Sequence, residues 1–150
     1  MKLEQEIHTT NFGSPKNRAW LNLLVTTSRA TASVAAIFKY RGLTEQQYNV
    51  LRILRGRYPE AVNLCDIQER MVDKSSNATR LVEKLRQKGL AERHTCSENR
   101  RKVDIRITDE GLRLLSVLDP EIEEKISDLF KNLNDEEITL LDDLLEKFRG

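Results

Sequence analysis

The chain has 150 residues, 33% of them charged and 39% apolar, with a formal net charge of +1. That length suits one domain, or one domain with an appendage. The composition excludes a disordered tail, a collagen and a secreted disulfide scaffold. No membrane span is expected either, because the apolar residues are scattered and the opening Met1-Lys2-Leu3-Glu4-Gln5-Glu6 has no signal-peptide core.

Residues 1–13 show no strong periodicity and are expected to form a flexible arm. Ser14-Pro15 supplies an N-cap and a first-turn proline. Trp20, Leu23, Leu24, Thr27, Thr31, Val34 and Phe38 then recur at steps of three and four, one face of a long helix over 15–40 closed by Gly42. Its middle is rich in small residues from Thr26 to Ala36, which let another helix approach closely. Thr44 and Gln47 form a capping box for a second helix, 44–57, which Pro59 stops. Residues 61–64 suit a small strand, and 65–72 a short helix carrying Ile67 and Met71.

The segment 73–89 is the most informative. Ala78, Leu81, Val82 and Leu85 make a core-facing stripe, and Gly89 a C-cap. The other side offers Asn77, Arg80 and Lys84, with Ser76, Thr79 and Glu83 alongside. The period then changes to two. Residues 90–96 and 102–108 read as a hairpin whose polar tip, Ser97 to Arg101, ends in two arginines. Thr108 caps a further helix, for which Pro120 predicts a kink or restart with Asp119 as a new N-cap. Asn134 and Glu137 begin a last helix with the stripe Ile138, Leu141, Leu144, Leu145 and Phe148. The predicted class is mainly α with a small β-hairpin, an α+β winged helix-turn-helix.

Charge is uneven along this order. Residues 1–73 carry +3, residues 74–106 carry +6 and residues 107–150 carry −8. A basic centre is the footprint expected for a polyanion, since each Lys or Arg displaces counterions condensed on phosphates. The major groove admits one helix, and its base edges pair with side chains such as Arg80 and Asn77. Arg100 and Arg101 are placed to reach a minor groove or phosphates. Lys74, Ser75 and Lys102 suit the backbone. Cys65 and Cys96 read as reduced thiols of a cytoplasmic protein, and His94 with Cys96 lacks the further ligands of a zinc site, so no metal and no cofactor are expected. No phosphate loop or nucleophile–base motif argues for an enzyme. The competing class is a winged-helix module for protein–protein assembly that binds no specific DNA.

Gly42 to Leu51, Thr79 to Leu85 with Lys88-Gly89-Leu90, and the wing from Asn99 to Gly111 resemble the MarR family of winged helix-turn-helix regulators. The resemblance covers roughly residues 15–148. The family's wing pattern opens with an aspartate two residues before an arginine and closes in Leu-Thr; Asn99 and Ile107 stand at two of those places, and Asn99 cannot make a carboxylate–arginine bridge. The resemblance implies a homodimeric repressor, with dimerisation helices at 15–40 and 109–149 and a DNA-binding lobe at 44–108. Two recognition helices would then address a palindromic operator about one turn apart, roughly 34–36 Å. Lys74, Ser75, Ser76, Asn77, Thr79, Arg80 and Lys84 would be the recognition-helix contacts, and Asn99, Arg100, Arg101 and Lys102 the wing contacts. It further implies release by a phenolic or other lipophilic small molecule bound between dimer region and lobe. Trp20, Tyr40 and Tyr48 are candidates to line that site, against plain packing roles. Oxidant sensing through an N-terminal cysteine does not carry over, as none precedes Cys65; Cys96 beside the basic wing is the remaining redox candidate.

Overall fold

The computed structural model describes residues 1–95, 98–99 and 102–150. The helix α2, Pro15–Tyr40, starts where Ser14 Oγ accepts the Asn17 N–H at 3.1 Å. It ends before Gly42, whose φ of +70° is the left-handed turn that glycine adopts without strain. The expected flexible arm is corrected. Residues Leu3–Glu6 form a short helix, α1, with Leu3 buried. Glu4 accepts from Arg18 at 2.9 Å and Glu6 pairs with Arg29, so α1 is tied along α2. These partners lie too far along the chain for any local periodicity to announce them.

Among the described residues one helix, α2, is long and apolar enough by length and composition to cross a bilayer. Alanines and valines between the polar residues raise its hydropathy without making a continuous apolar run. Arg29, near its middle, pairs with Glu6.

Helix α3, Glu45–Arg55, carries the predicted capping box: Thr44 Oγ1 accepts from Gln47 N at 3.1 Å, and Gln47 Oε1 from Thr44 N at 3.1 Å. Its last residue, Arg55, lies two residues before the predicted end, and Gly56 is the C-cap. Strand β1 (Val62–Asn63), helix α4 (Leu64–Arg70) and helix α5 (Ala78–Gln87) follow. Strands β2 (Ala91–Thr95) and β3 (Val103–Ile107) are antiparallel, and β1 adds to the far edge of β3. In that register Ala91 faces Ile107, Arg93 faces Ile105, and Val62 faces Ile105 from the other side. Ile105 and Ile107 therefore drop into the core while Asp104 and Arg106 point away from it.

The core gathers Val50, Leu51 and Leu54 of α3, Ile67, Met71, Val82 and Leu85, and then Leu115 and Leu118 of helix α6, Asp109–Phe130. Thr108 joins hairpin and helix. Its Oγ accepts from Gly111 N at 3.1 Å and donates to Gly89 O at 2.7 Å. Losing both bonds in Thr108→Ala should lower stability by about 1–2 kcal/mol. A lower urea midpoint, largely restored in Thr108→Ser, would bear this out; an unchanged midpoint would reject it.

The predicted restart at Pro120 does not occur: α6 is a single helical span from Asp109 to Phe130 with Pro120 inside. Leu118 and Ile122, buried on either side, hold the helix on the core through the proline. Asp119 is not an N-cap; its carboxylate accepts from Arg55. The last helix, α7 (Asp135–Arg149), begins with the predicted Asn134–Glu137 box. It buries none of its residues, leaving Leu140, Leu144 and Phe148 more than half exposed. On α2 only Phe38 is fully buried. The α7 stripe and the Trp20–Leu24 part of the α2 stripe thus remain largely uncovered, while Val34 and Phe38 turn to the core.

Candidate nucleic-acid interface

Helices α3, α4 and α5 form the helix-turn-helix, and the 73–89 segment divides differently from the sequence expectation. Asp73 Oδ1 accepts from Ser75 N at 2.9 Å and Ser75 Oγ at 2.6 Å, and Ser76 N donates to Asp73 O. Hydrogen bonds from the Ser75 hydroxyl, then from its N–H, hold the Asp73 carboxyl below the usual carboxylate range. These bonds make 73–76 a turn. Asn77 is consequently the N-cap of α5, and its Oδ1 accepts from Arg80 N at 3.0 Å. Its carbonyl already accepts one backbone hydrogen bond, and its two amide donors remain for a ligand.

Gln68 of α4 braces the turn. Its Nε2 donates to Lys74 O (3.2 Å) and Ser76 O (2.7 Å), while its Oε1 accepts from Ala78 N (3.0 Å). At the other end of α5, Lys88 Nζ donates to Gly42 O and to Gln47 Oε1 (3.2 Å), tying that helix to the α2–α3 connection. Sequence reasoning missed Gln68 and Lys88. Their partners lie at separations without period, so no local signal marks them.

A groove of about 500 Å³ between the start of α3 and α5 brings together Ser75, Ser76, Asn77, Arg80 and Lys84 with Thr44 and Gln46. Arg80 and Lys84 are exposed there, one helical turn apart. Neither side chain has a hydrogen-bond or ion-pair partner among the described residues. Thr79 is exposed outside that groove, and Lys74 Nζ is turned onto Glu69 O. The one acid on the α5 face, Glu83, is bridged by Arg86 at 2.8 Å, which holds its carboxyl ionised and partly neutralises it. In the wing, Asn99 and Lys102 are exposed, and Lys102 N donates to Asn99 O at 2.9 Å. Arg100, Arg101 and Cys96 lie outside the described residues.

A second cleft, about 420 Å³, opens between α2, α3 and α6. Val34, Phe38, Ile122, Ile126 and Leu129 supply its apolar wall, and Tyr48, Asn49 and Arg52 one polar side. Tyr48 stacks on Phe38 with ring centroids 4.6 Å apart, and burial pushes its phenol pKa up. The three aromatics proposed for a ligand site do not converge. Only Tyr48 reaches the cleft; Trp20 is half exposed and Tyr40 points outward. Trp20 and Tyr40 stand near opposite ends of α2, about 30 Å apart at helical rise. Asp73 lines both cleft and groove, so the turn before α5 is their common wall.

A sequence model of the MarR family matches residues 43–103, the span from the start of α3 into the wing. The HTH-type transcriptional repressor YetL of Bacillus subtilis is 29% identical over 114 residues, which cover 73% of this chain and 68% of that protein. Among solved structures, a MarR transcription factor from Planctomyces limnophilus is 34% identical, with a TM-score of 0.71 over 91% of this chain and 98% of that one. Bordetella bronchiseptica BpsR, whose DNA binding is regulated by 6-hydroxynicotinic acid, superimposes with a TM-score of 0.75 at 24% identity over 89% of this chain and 99% of its own.

Proposed function

This chain belongs to the MarR family of transcriptional regulators, and from that premise we propose that it is a cytoplasmic homodimeric repressor of a palindromic operator, released by a small aromatic ligand. The observation that carries the DNA reading is the exposed face of α5. Arg80 and Lys84, without hydrogen-bond or ion-pair partners among the described residues, line a groove with Ser75, Ser76 and Asn77. Arg80 reads base edges, and Lys84, Ser75 and the wing Lys102 hold phosphates. By sequence, Arg100 and Arg101 add to the positive charge of the wing segment.

The dimer reading rests on the uncovered stripes of α2 and α7. Trp20, Leu140, Leu144 and Phe148 are too many large exposed apolar side chains to leave in water. A second copy would cover them and set two α5 helices for successive major grooves. The repressor reading follows the similarity to YetL. The ligand reading rests on the α2–α3–α6 cleft, where apolar walls suit a ring and Arg52 suits an anionic substituent. Release then requires that the ligand bind the DNA-free arrangement more tightly than the DNA-bound one.

The test is fluorescence anisotropy of the full chain on its own upstream DNA, with random duplex as control and salt varied. Tight, salt-sensitive binding to one palindromic segment is expected, and sedimentation should give a dimer. Adding 6-hydroxynicotinic acid as a first aromatic probe should weaken that complex, and Arg52→Ala should blunt the effect. Failure to bind either duplex at low salt would sink the DNA reading.

A further inference from the structure

Among the described residues, some ion pairs join residues three apart on one helix, as Glu83–Arg86, Glu110–Arg113 and Asp128–Lys131 do. Four join different helices: Glu4–Arg18 and Glu6–Arg29 tie α1 to α2, and the other two meet on α6. Arg55, in the last turn of α3, makes a bidentate pair with Asp119 of α6 at 2.5 and 3.2 Å. Two residues on, Glu121 pairs with Arg41, the C-cap residue of α2. Pro120 lies between the two carboxylates, so a single turn of α6 grips the ends of both other helices.

All four side chains are partly exposed, so the pairs add little to global stability. Their effect is geometric. A guanidinium held by both oxygens of a carboxylate fixes orientation as well as distance. Helix α3 shares its buried face with α5 and β3, so whatever orients α3 orients the recognition helix with it. One turn along from Arg55 and Asp119, Arg52 and Ile122 line the 420 Å³ cleft. The pairs therefore sit one turn from that cleft, at the junction of α3 and α6.

We propose that Asp119 and Glu121 are positioning residues for DNA binding: their ion pairs with Arg55 and Arg41 set the angle at which α6 carries the winged-helix lobe. The role rests on the DNA-binding reading above. Removing the two charges leaves each lobe intact but lets it pivot, so fewer molecules hold both recognition helices at operator spacing at once.

The test is the isosteric double variant Asp119→Asn/Glu121→Gln in the full chain. The first readout needs no DNA. Spin labels at Thr79 on α5 and Glu123 on α6, in a Cys65→Ser/Cys96→Ser background, report the lobe-to-helix distance. A narrow distribution should broaden in the variant, and the charge swap Arg55→Asp/Asp119→Arg should narrow it again. The second readout uses a duplex that the wild type selects from a randomised pool, and a half-site cut from it. Palindrome affinity should fall about tenfold, as expected when the competent fraction drops to about a tenth. Half-site affinity and the melting temperature should hold. An unchanged distance distribution, or parallel loss of half-site and palindrome binding, overturns the proposal. So does a broadened distribution with unchanged palindrome affinity. A wild type that selects no duplex overturns the DNA reading and this role with it; a wild type that binds beside an unaltered variant overturns the clamp alone.

Discussion

Replacing Gly111 by alanine is expected to lower the unfolding free energy by about 3 kcal/mol and the melting temperature by about 6–12 °C. The glycine is helical, so the reason is space and not backbone freedom. A Cβ at Gly111 would lie 2.4 Å from Leu90 O and 2.7 Å from Ile107 Cγ1. Leu90 O cannot move away cheaply, because it accepts the Thr108 N–H at 3.1 Å where the hairpin joins α6. Relief would have to shift the start of α6 away from β2 and β3, carrying the Thr108 cap with it. Urea unfolding of the variant checks this, and a midpoint equal to wild type would show that the junction yields without cost.

The second large effect is on binding. Arg80→Ala should weaken the specific complex by about 10- to 100-fold, the loss of about 1–3 kcal/mol expected for one bidentate base contact. Weak binding to random duplex should change much less. Lys84→Ala and Lys102→Ala should instead weaken both complexes together and reduce the salt slope by about one each. The two patterns separate reading from positioning in one anisotropy series. If Arg80→Ala lowered affinity for both duplexes equally, Arg80 would be a phosphate contact and sequence reading would belong to other side chains. The guanidinium is exposed and has no hydrogen-bond or ion-pair partner among the described residues, which makes the substitution informative.

Much of the fold was legible because its signals are local. The stripe Ala78–Leu81–Val82–Leu85, the boxes at Thr44–Gln47 and Asn134–Glu137, and the alternation Val103–Ile105–Ile107 each span a few residues. Helical and strand periods act at that range, so element type and order follow from them. The motifs of the α3–α5 lobe and wing likewise pointed to the family that the comparisons support.

What tertiary structure decided are the choices between partners that a local pattern leaves open. Asn77, Asp119 and the arm show this. Whether Asn77 sits within α5 or caps it was open in the sequence, and Asp73 and Gln68 decide for the cap by folding 73–76 into a turn. Asp119 before a proline suits an N-cap, yet Arg55, 64 residues away, takes its carboxylate because packing of Leu118 and Ile122 keeps α6 continuous. Residues 1–13 have no period of their own, but Leu3, Glu4 and Glu6 find cover and charge on α2. Trp20, Tyr40 and Tyr48 are alike as residue types, and only the crossing of α2, α3 and α6 determines that Tyr48 alone lines the cleft. Secondary structure is written in contacts of three or four residues; sites are made of contacts between elements, whose distances exist only once the chain has closed on its core.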